Sequence, residues 1–432
     1  MQKKLFASIL FAIMFLSGCV YWPTIKAEQF DSDLILKPEE TAGNSAKNEY
    51  QYTVPWDSSI FDEYYANARN VPEIGDVRGG IVPHHLLAGY IPATFFKKLE
   101  KQKPSLIILL GPNHLNAGGA NAISTLLDWQ TPYGVVRTDK ELVGRLAERG
   151  IVKIQEEIMK DEHSIYSILP FMAKSVPNAK VLPIIFSYKT DVGKLNEILA
   201  VLLPQLPKDA VVVSSVDFSH YQTLDASNFH DELSRAVIKN FDYGRLDNLE
   251  VDSAPSLYLM MRLLENMSAQ RVAFEISDNS AHLLNDATLK EGTSYFSPYF
   301  VDGVKEKEKI ASILNFGDLM LDRDVKQKID ANSSDYLLSK LAGQENRFFL
   351  GMDAIGANLE GPFANYRRPT SKSIAFQFDP KLILMLKKYN FSILNNANNH
   401  TLDMGKDGFV ESQNNLMKAG IDYYGAQYDI DD

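Results

Sequence analysis

From about residue 75 to 302, short continuous apolar runs alternate with stretches whose apolar positions recur at helical spacing. The strand-like runs are Gly80–Pro83, Leu106–Leu110, Lys180–Phe186 and Ala210–Val216. The helix-like stretches include Asp139–Glu148, Val192–Leu203 and Ala226–Asn240. Apolar strands separated by helices predict a largely parallel sheet covered on both faces. Residues 303–309 (Gly-Val-Lys-Glu-Lys-Glu-Lys) are charged and poor in core residues, and predict a linker. A second pattern then opens at Ile310, with a buried strand over Ile310–Phe316, a helix over Leu382–Tyr389 and a strand over Phe391–Leu394. The expected fold class is α/β, in two domains over 75–302 and 310–432.

The N-terminus follows a different pattern. Lys3 and Lys4 precede a nearly unbroken apolar stretch, Leu5 to Leu16, which ends in Leu16-Ser17-Gly18-Cys19 and resembles a lipobox. The run is well short of the roughly 20 residues that a spanning helix needs, so it reads as a removable signal, signal and lipobox together occupying 1–19. Cys19 is the chain's single cysteine and stands where a lipid would be attached, which also excludes an intrachain disulfide. A secretory signal with an incidental cysteine is the competing reading. Residues 20–74 form a tether and lead-in, polar and without periodicity to about residue 50. The expectation is an exported lipoprotein held to a membrane through lipid on Cys19, at the cell surface or periplasmic face.

Composition narrows the partners. Hydrophobic content of 45% and aromatic content of 11% suffice for sizeable cores. The formal net charge of −11 argues against nucleic acid and against adhesion to anionic lipid by charge. An acyl chain would therefore have to hold the protein at a membrane.

Candidate chemistry gathers at predicted strand ends, where open α/β sheets place their sites. One strand ends in Pro83-His84-His85, another in Gly111-Pro112-Asn113-His114, and a third in Asp217-Phe218-Ser219-His220-Tyr221. A fourth motif, Asp161-Glu162-His163-Ser164, precedes the helical-looking Ile165–Phe171. Of eight histidines in the chain, five lie in these motifs, which points to a shared polar site able to bind a metal.

Pro83-His84 followed by Ala88-Gly89-Tyr90 comes first in a longer series. Gly-Pro-Asn-His114, Trp129-Gln-Thr-Pro-Tyr-Gly134, Glu162-His163-Ser164, Leu169-Pro170-Phe171 and Ser215-Val-Asp217-Phe-Ser-His220-Tyr221 follow in order. Together they resemble the Memo-like family, also described as AmmeMemoRadiSam system protein B. The resemblance covers about 75–302 and implies a fold akin to the class III extradiol dioxygenases, with a non-haem iron in a polar pocket. It implies His84 and His114 as metal ligands, together with a later cysteine. Two departures stand out. The Pro-His-Ala-Gly motif is interrupted after His84, so His85 is an alternative ligand. The later cysteine is absent, and the matching stretch reads Leu249-Glu250-Val251-Asp252-Ser253-Ala254-Pro255. Asp252 can supply an anionic oxygen there, and two histidines with one carboxylate form the triad typical of non-haem Fe(II). Asp252 can equally cap a helix over Pro255–Glu265, and the sequence leaves both uses open. Glu162, His163, Asp217 and His220 would stand behind the ligands or act in proton transfer. Packing is the expected role of Trp129 and Tyr166.

In the second domain, Gly317-Asp318, Asn358-Leu359-Glu360-Gly361-Pro362 and Ala397-Asn398-Asn399-His400-Thr401-Leu402-Asp403-Met404-Gly405 combine the oxygen and nitrogen donors of two-metal phosphoesterases. A plain Asn-rich turn is the alternative. These motifs resemble the CapA family of poly-γ-glutamate capsule synthesis, which has a calcineurin-like metallophosphatase fold. The resemblance implies Asp318, Glu360 and Asn399 for divalent metals and His400 for catalysis. The stretch to Asp432 corresponds to about the N-terminal half of that domain, so an incomplete site is expected, in either a fragment of a longer protein, which the pattern favours, or a degenerate domain.

The combined expectation is a surface lipoprotein with a metal-dependent, dioxygenase-like domain, iron being the expected metal, fused to a domain concerned with capsule or another envelope polymer. The alternative is a non-catalytic lipoprotein whose pocket binds an envelope polymer, small molecule or protein.

Overall fold

The computed structural model describes residues 50–53, 57–305, 308–342 and 344–425. Cys19, the signal over 1–19 and the tether up to residue 49 lie outside the described residues. Among the described residues no helix is long and apolar enough to cross a membrane.

Four parallel strands form the centre of the first domain, in the spatial order Val77–Val82, Val211–Ser215, Leu106–Pro112, Lys180–Phe186. Each is rich in apolar residues and buried along almost its whole length. Odd and even positions feed separate cores. Ile108, Leu110, Leu182 and Val212 pack on one side with Leu257 and Met260, and Ile107, Leu109, Val181 and Val213 on the other with Phe95 and Phe171. The covering helices begin at side-chain caps: Asp139 accepts from Leu142 N, Asp191 from Lys194 N and Thr223 from Ala226 N. Each cap satisfies a backbone donor that lacks an intrahelical partner.

Antiparallel strands flank these four on both sides, which departs from the expected largely parallel sheet. Gly292–Val301 pairs antiparallel with Val77–Val82 and also with Arg271–Asn279, the two longest strands of the domain. Ala122–Ser124 closes the other side antiparallel to Lys180–Phe186. Part of the expected lead-in is folded into this body. Tyr50–Tyr52 pairs with Asp128–Thr131, and the helix Ser58–Ala66 buries Phe61 and Tyr65 against Phe171. Trp129 is fully buried in the same core.

The second domain is a four-stranded parallel sheet ordered Ile313–Leu319, Ala354–Leu359, Ile393–Asn395, Asp422–Tyr424. Its first strand starts three residues later than the sequence pattern suggests and runs through Gly317-Asp318, with an irregular register between Asn315 and Asp318. A seam joins the domains. Arg245 donates to Asp353 Oδ2 at 3.1 Å and to Gly351 O at 3.2 Å, and Arg347 meets Glu250 at 3.3 Å.

Candidate metal centre

The strand order brings the site together. Val211–Ser215 lies between Val77–Val82 and Leu106–Pro112, so the segments leaving their carboxyl ends are neighbours. These segments carry His84, Asp217 and His114. Adjacent strands lie about 4.8 Å apart, which places such residues within reach of one ion.

Both histidines are anchored through one ring nitrogen and face inward through the other. His84 is buried, with Nδ1 3.2 Å from Ser215 Oγ. Its Nε2 faces Asp252 Oδ2 at 3.3 Å and Asp217 Oδ2 at 3.5 Å. His114 holds its Nδ1 2.7 Å from Glu162 Oε1 and turns Nε2 toward Asp252 Oδ2 at 4.0 Å. The two rings meet edge to face at 4.9 Å. Fixing one nitrogen by a hydrogen bond and presenting the other is how proteins orient histidine ligands.

Asp252 faces this site, and the helix it precedes is capped by another residue. Ser253 is the N-cap of Ala254–Asn266, its side chain accepting from Ser256 N at 3.3 Å. Asp252 Oδ2 accepts from Asp217 N at 3.0 Å, and Asp252 N donates to Asp217 O at 3.2 Å. Oδ1 of Asp252 and Oδ1 of Asp217 are both buried without a hydrogen-bond partner.

Glu162 ends one short helix and caps the next, His163–Tyr166, by accepting from Ser164 N. That helix lies tight on Leu106–Pro112. Ser164 Oγ donates to Pro112 O, and a Cβ at Gly111 would fall 2.5 Å from Ser164 Oγ. His163 consequently stacks on His114 at 4.0 Å. His220 has its Nδ1 buried without a hydrogen-bond partner. His85 points elsewhere, with Nδ1 2.6 Å from Tyr295 OH. Among the described residues two groups of acidic and histidine side chains have metal-binding geometry: His84 with His114 and His163, and His84 with Asp217 and Asp252. His84 is common to both, and His85 is in neither.

The electrostatics fit a cation. Burial holds the His84 imidazole well below its usual range, and burial takes His163 to about 4 and His220 to about 3. Burial also pushes His114 down, but the Glu162 carboxylate outweighs it and raises the net value. Burial and then repulsion from Asp252 drive Asp217 far above the carboxylate range, and burial lifts Asp252 to about 7. Two buried carboxyls, each with an unpartnered oxygen, close to buried imidazoles have the donor chemistry of a divalent-ion site.

In the second domain, Asn358 Nδ2 bridges Asp318 Oδ1 at 2.7 Å and Glu360 Oε2 at 2.6 Å. His400 Nδ1 bonds Asp403 Oδ2 at 2.7 Å, and its Nε2 lies 3.9 Å from Glu360 Oε1. Asn399 is exposed and contributes its backbone carbonyl to Lys372. Its neighbour Asn398 carries the inward amide, donating to Asn358 Oδ1 and Leu359 O. Ser215, Asn358, Asn398 and Asp403 were not singled out as site residues from the sequence. Their places inside the quoted motifs are the sequence signal for them.

With this geometry in place, the comparisons are decisive. The family model described as "Memo-like protein" matches residues 56–273, half of the chain. The chain belongs to the Memo-like family. A second family model, "Bacterial capsule synthesis protein PGA_cap", matches residues 312–432. The fold is thus α/β, a Memo-like domain of the extradiol-dioxygenase type followed by a CapA domain. The Memo-like region is similar to a MEMO1 family protein of Pyrobaculum aerophilum, 27% identical over 206 residues that cover 46% of this chain and 72% of the relative. It is also similar to MEMO1 family proteins of Metallosphaera sedula, at 32% over 38% of this chain and 60% of the relative, and of Thermococcus onnurineus, at 30% over 39% and 62%. The chain therefore spans from 60% to 72% of the lengths of these Memo-like relatives. A crystal structure of an uncharacterized Escherichia coli K12 protein overlaps 51% of this chain and 99% of its own at 11% identity. Its TM-score of 0.33 is too low to assign anything.

Proposed function

We propose that this chain is an exported lipoprotein, anchored by lipid on Cys19, whose Memo-like domain binds one divalent ion and acts as a metal-dependent oxidoreductase on a small molecule. Iron is the expected metal. His84, His114 and Asp252 would hold it, with Asp217 beside them. The observation that carries this reading is the anchoring of His84 and His114 at Nδ1, which leaves both Nε2 atoms directed at Asp252. Histidine and carboxylate donors suit Fe(II), and a bound ion of this kind supplies Lewis acidity and redox chemistry. The protein's own contribution is to orient the ligands through Ser215 and Glu162. Burial depresses His163 to about 4 and His220 to about 3, so both present neutral imidazoles to the pocket at pH 7. The CapA domain points this chemistry toward the cell envelope and an anionic polymer there.

Metal analysis of the full chain purified without added metal tests the reading. About one equivalent of iron or another divalent ion is expected. A protein that carries none and takes up none from Fe(II) or Zn(II) refutes it.

A further inference from the structure

A residue of the second domain reaches a buried carboxylate close in sequence to the first domain's site. Glu250 lies two positions before Asp252, in the irregular stretch between the turn Tyr243–Asn248 and the helix Ala254–Asn266. Its side chain has no exposure to solvent, and its Oε2 atom has no hydrogen-bond partner. Its Oε1 atom accepts from Arg347 Nη1 at 3.3 Å. Arg347 sits in the turn Gln344–Phe349 of the CapA domain. We propose that Arg347 is a positioning residue for the Memo-like domain: by gripping Glu250 it holds the Glu250–Ser253 stretch in place, and so sets how tightly that domain's site retains a metal ion.

Three observations carry the proposal, which rests on the metal reading of that site. First, a buried carboxylate needs a compensating charge, and removing one partner of such a pair is strongly unfavourable. Without the guanidinium, the stretch carrying Glu250 has every reason to move toward water.

Second, that movement would be felt at Asp252. The peptide between Glu250 and Asp252 is short. Asp252 is tied to Asp217 by two backbone-linked hydrogen bonds that must shift with it.

Third, the turn that presents Arg347 is seated on the first domain. Phe348 meets His230 edge to face at 6.5 Å. Gly351 has φ +73°, and a Cβ there would fall 2.5 Å from Leu233 Cδ2 and 2.7 Å from Asn248 O. Only glycine fits that backbone conformation and that approach. Arg245 secures the far side through Gly351 O and Asp353. The CapA domain is thereby part of the Memo-like site's support, and the two domains act as one unit.

The test uses the full chain with Arg347→Ala, Arg347→Lys and, in the same seam, Arg245→Ala. Fe(II) and Zn(II) affinities are measured by titration, and amide hydrogen exchange is followed over residues 249–253. Arg347→Ala should lose about tenfold or more in metal affinity, in line with the loss of other residues that orient ligands. It should also speed exchange over 249–253. Arg347→Lys should restore part of both, and Arg245→Ala should leave affinity within about twofold, a change near the resolution of additive, distant sites. Unchanged affinity in Arg347→Ala overturns the proposal while leaving the metal reading intact. Equal losses in Arg347→Ala and Arg245→Ala overturn the assignment to Arg347. A wild-type chain that binds neither metal overturns the metal reading and the affinity claim with it. Exchange over 249–253 then decides the positioning claim: faster in Arg347→Ala supports it, unchanged overturns it.

Discussion

Glu162 grips His114 twice: Oε1 accepts from the ring Nδ1 at 2.7 Å, and Oε2 accepts from the backbone N–H at 3.0 Å. A carboxylate can accept both bonds, which fixes the tautomer with the hydrogen on Nδ1 and leaves Nε2 facing Asp252. Burial works against the charge on Glu162, yet the bond to His114 outweighs it and keeps the carboxyl below its ordinary range.

Glu162→Gln should therefore weaken metal binding without dismantling the fold. A glutamine amide nitrogen cannot accept, so one of the two bonds to His114 is lost or the ring is forced into the other tautomer. The expected loss of metal affinity is about 10- to 100-fold. Titration of the variant with Fe(II) checks this, and affinity equal to wild type would show that Glu162 does not orient the ligand.

Ser253 and Asp252 are adjacent and do different work. Ser253→Ala removes the cap of Ala254–Asn266 and should destabilise the domain by about 1 kcal/mol with metal content intact. Asp252→Ala should strip the metal, since its carboxylate faces His84 and His114. Urea unfolding paired with metal analysis separates the two. Full metal content in Asp252→Ala would remove it from the ligand set.

Asp231 provides a pH signature. Its Oδ1 accepts from Ser219 and Ser294 at 3.1 and 2.7 Å, but burial dominates and lifts the carboxyl from 3.8 to about 6. The folded protein binds this proton more tightly than the unfolded chain. The group's contribution to stability is therefore complete below about pH 4 and is lost as pH rises through 6. A shift of about two units corresponds to roughly 3 kcal/mol. Comparison of urea midpoints at low and neutral pH should show a smaller loss on raising the pH in Asp231→Asn than in wild type. Parallel behaviour of the two proteins would exclude a raised Asp231.

The proposed lipid anchor has its own test. Cys19→Ala should abolish incorporation of labelled fatty acid and release the protein from membranes, because no other cysteine exists to accept the lipid. Continued labelling and membrane retention would refute the anchor.

Much of the first domain was legible because its cues are local. Lys180–Phe186 reads as a strand from its apolar run alone, and Val192–Leu203 as a helix from the spacing of its apolar residues. Arg271–Asn279 and Gly292–Val301 were not, because their half-buried and Ser-interrupted patterns acquire meaning only from antiparallel pairing at the sheet edge. In the second domain, the sequence motif singled out Asn399, whereas the fold turns the amide of Asn398 inward. Neighbouring residues of one turn have equal chemistry, and backbone direction alone separates them.

By itself, the sequence determined the α/β alternation, the family, and the histidines at strand ends, since periodicity and short motifs are properties of contiguous residues. Tertiary structure alone decided that His84 rather than His85 enters the site, that Ser253 caps the helix while Asp252 faces the imidazoles, and that Arg347 of the other domain reaches Glu250. Those choices depend on which strands lie side by side and on which buried charges must be paired, and both are set by contacts between residues far apart in the chain.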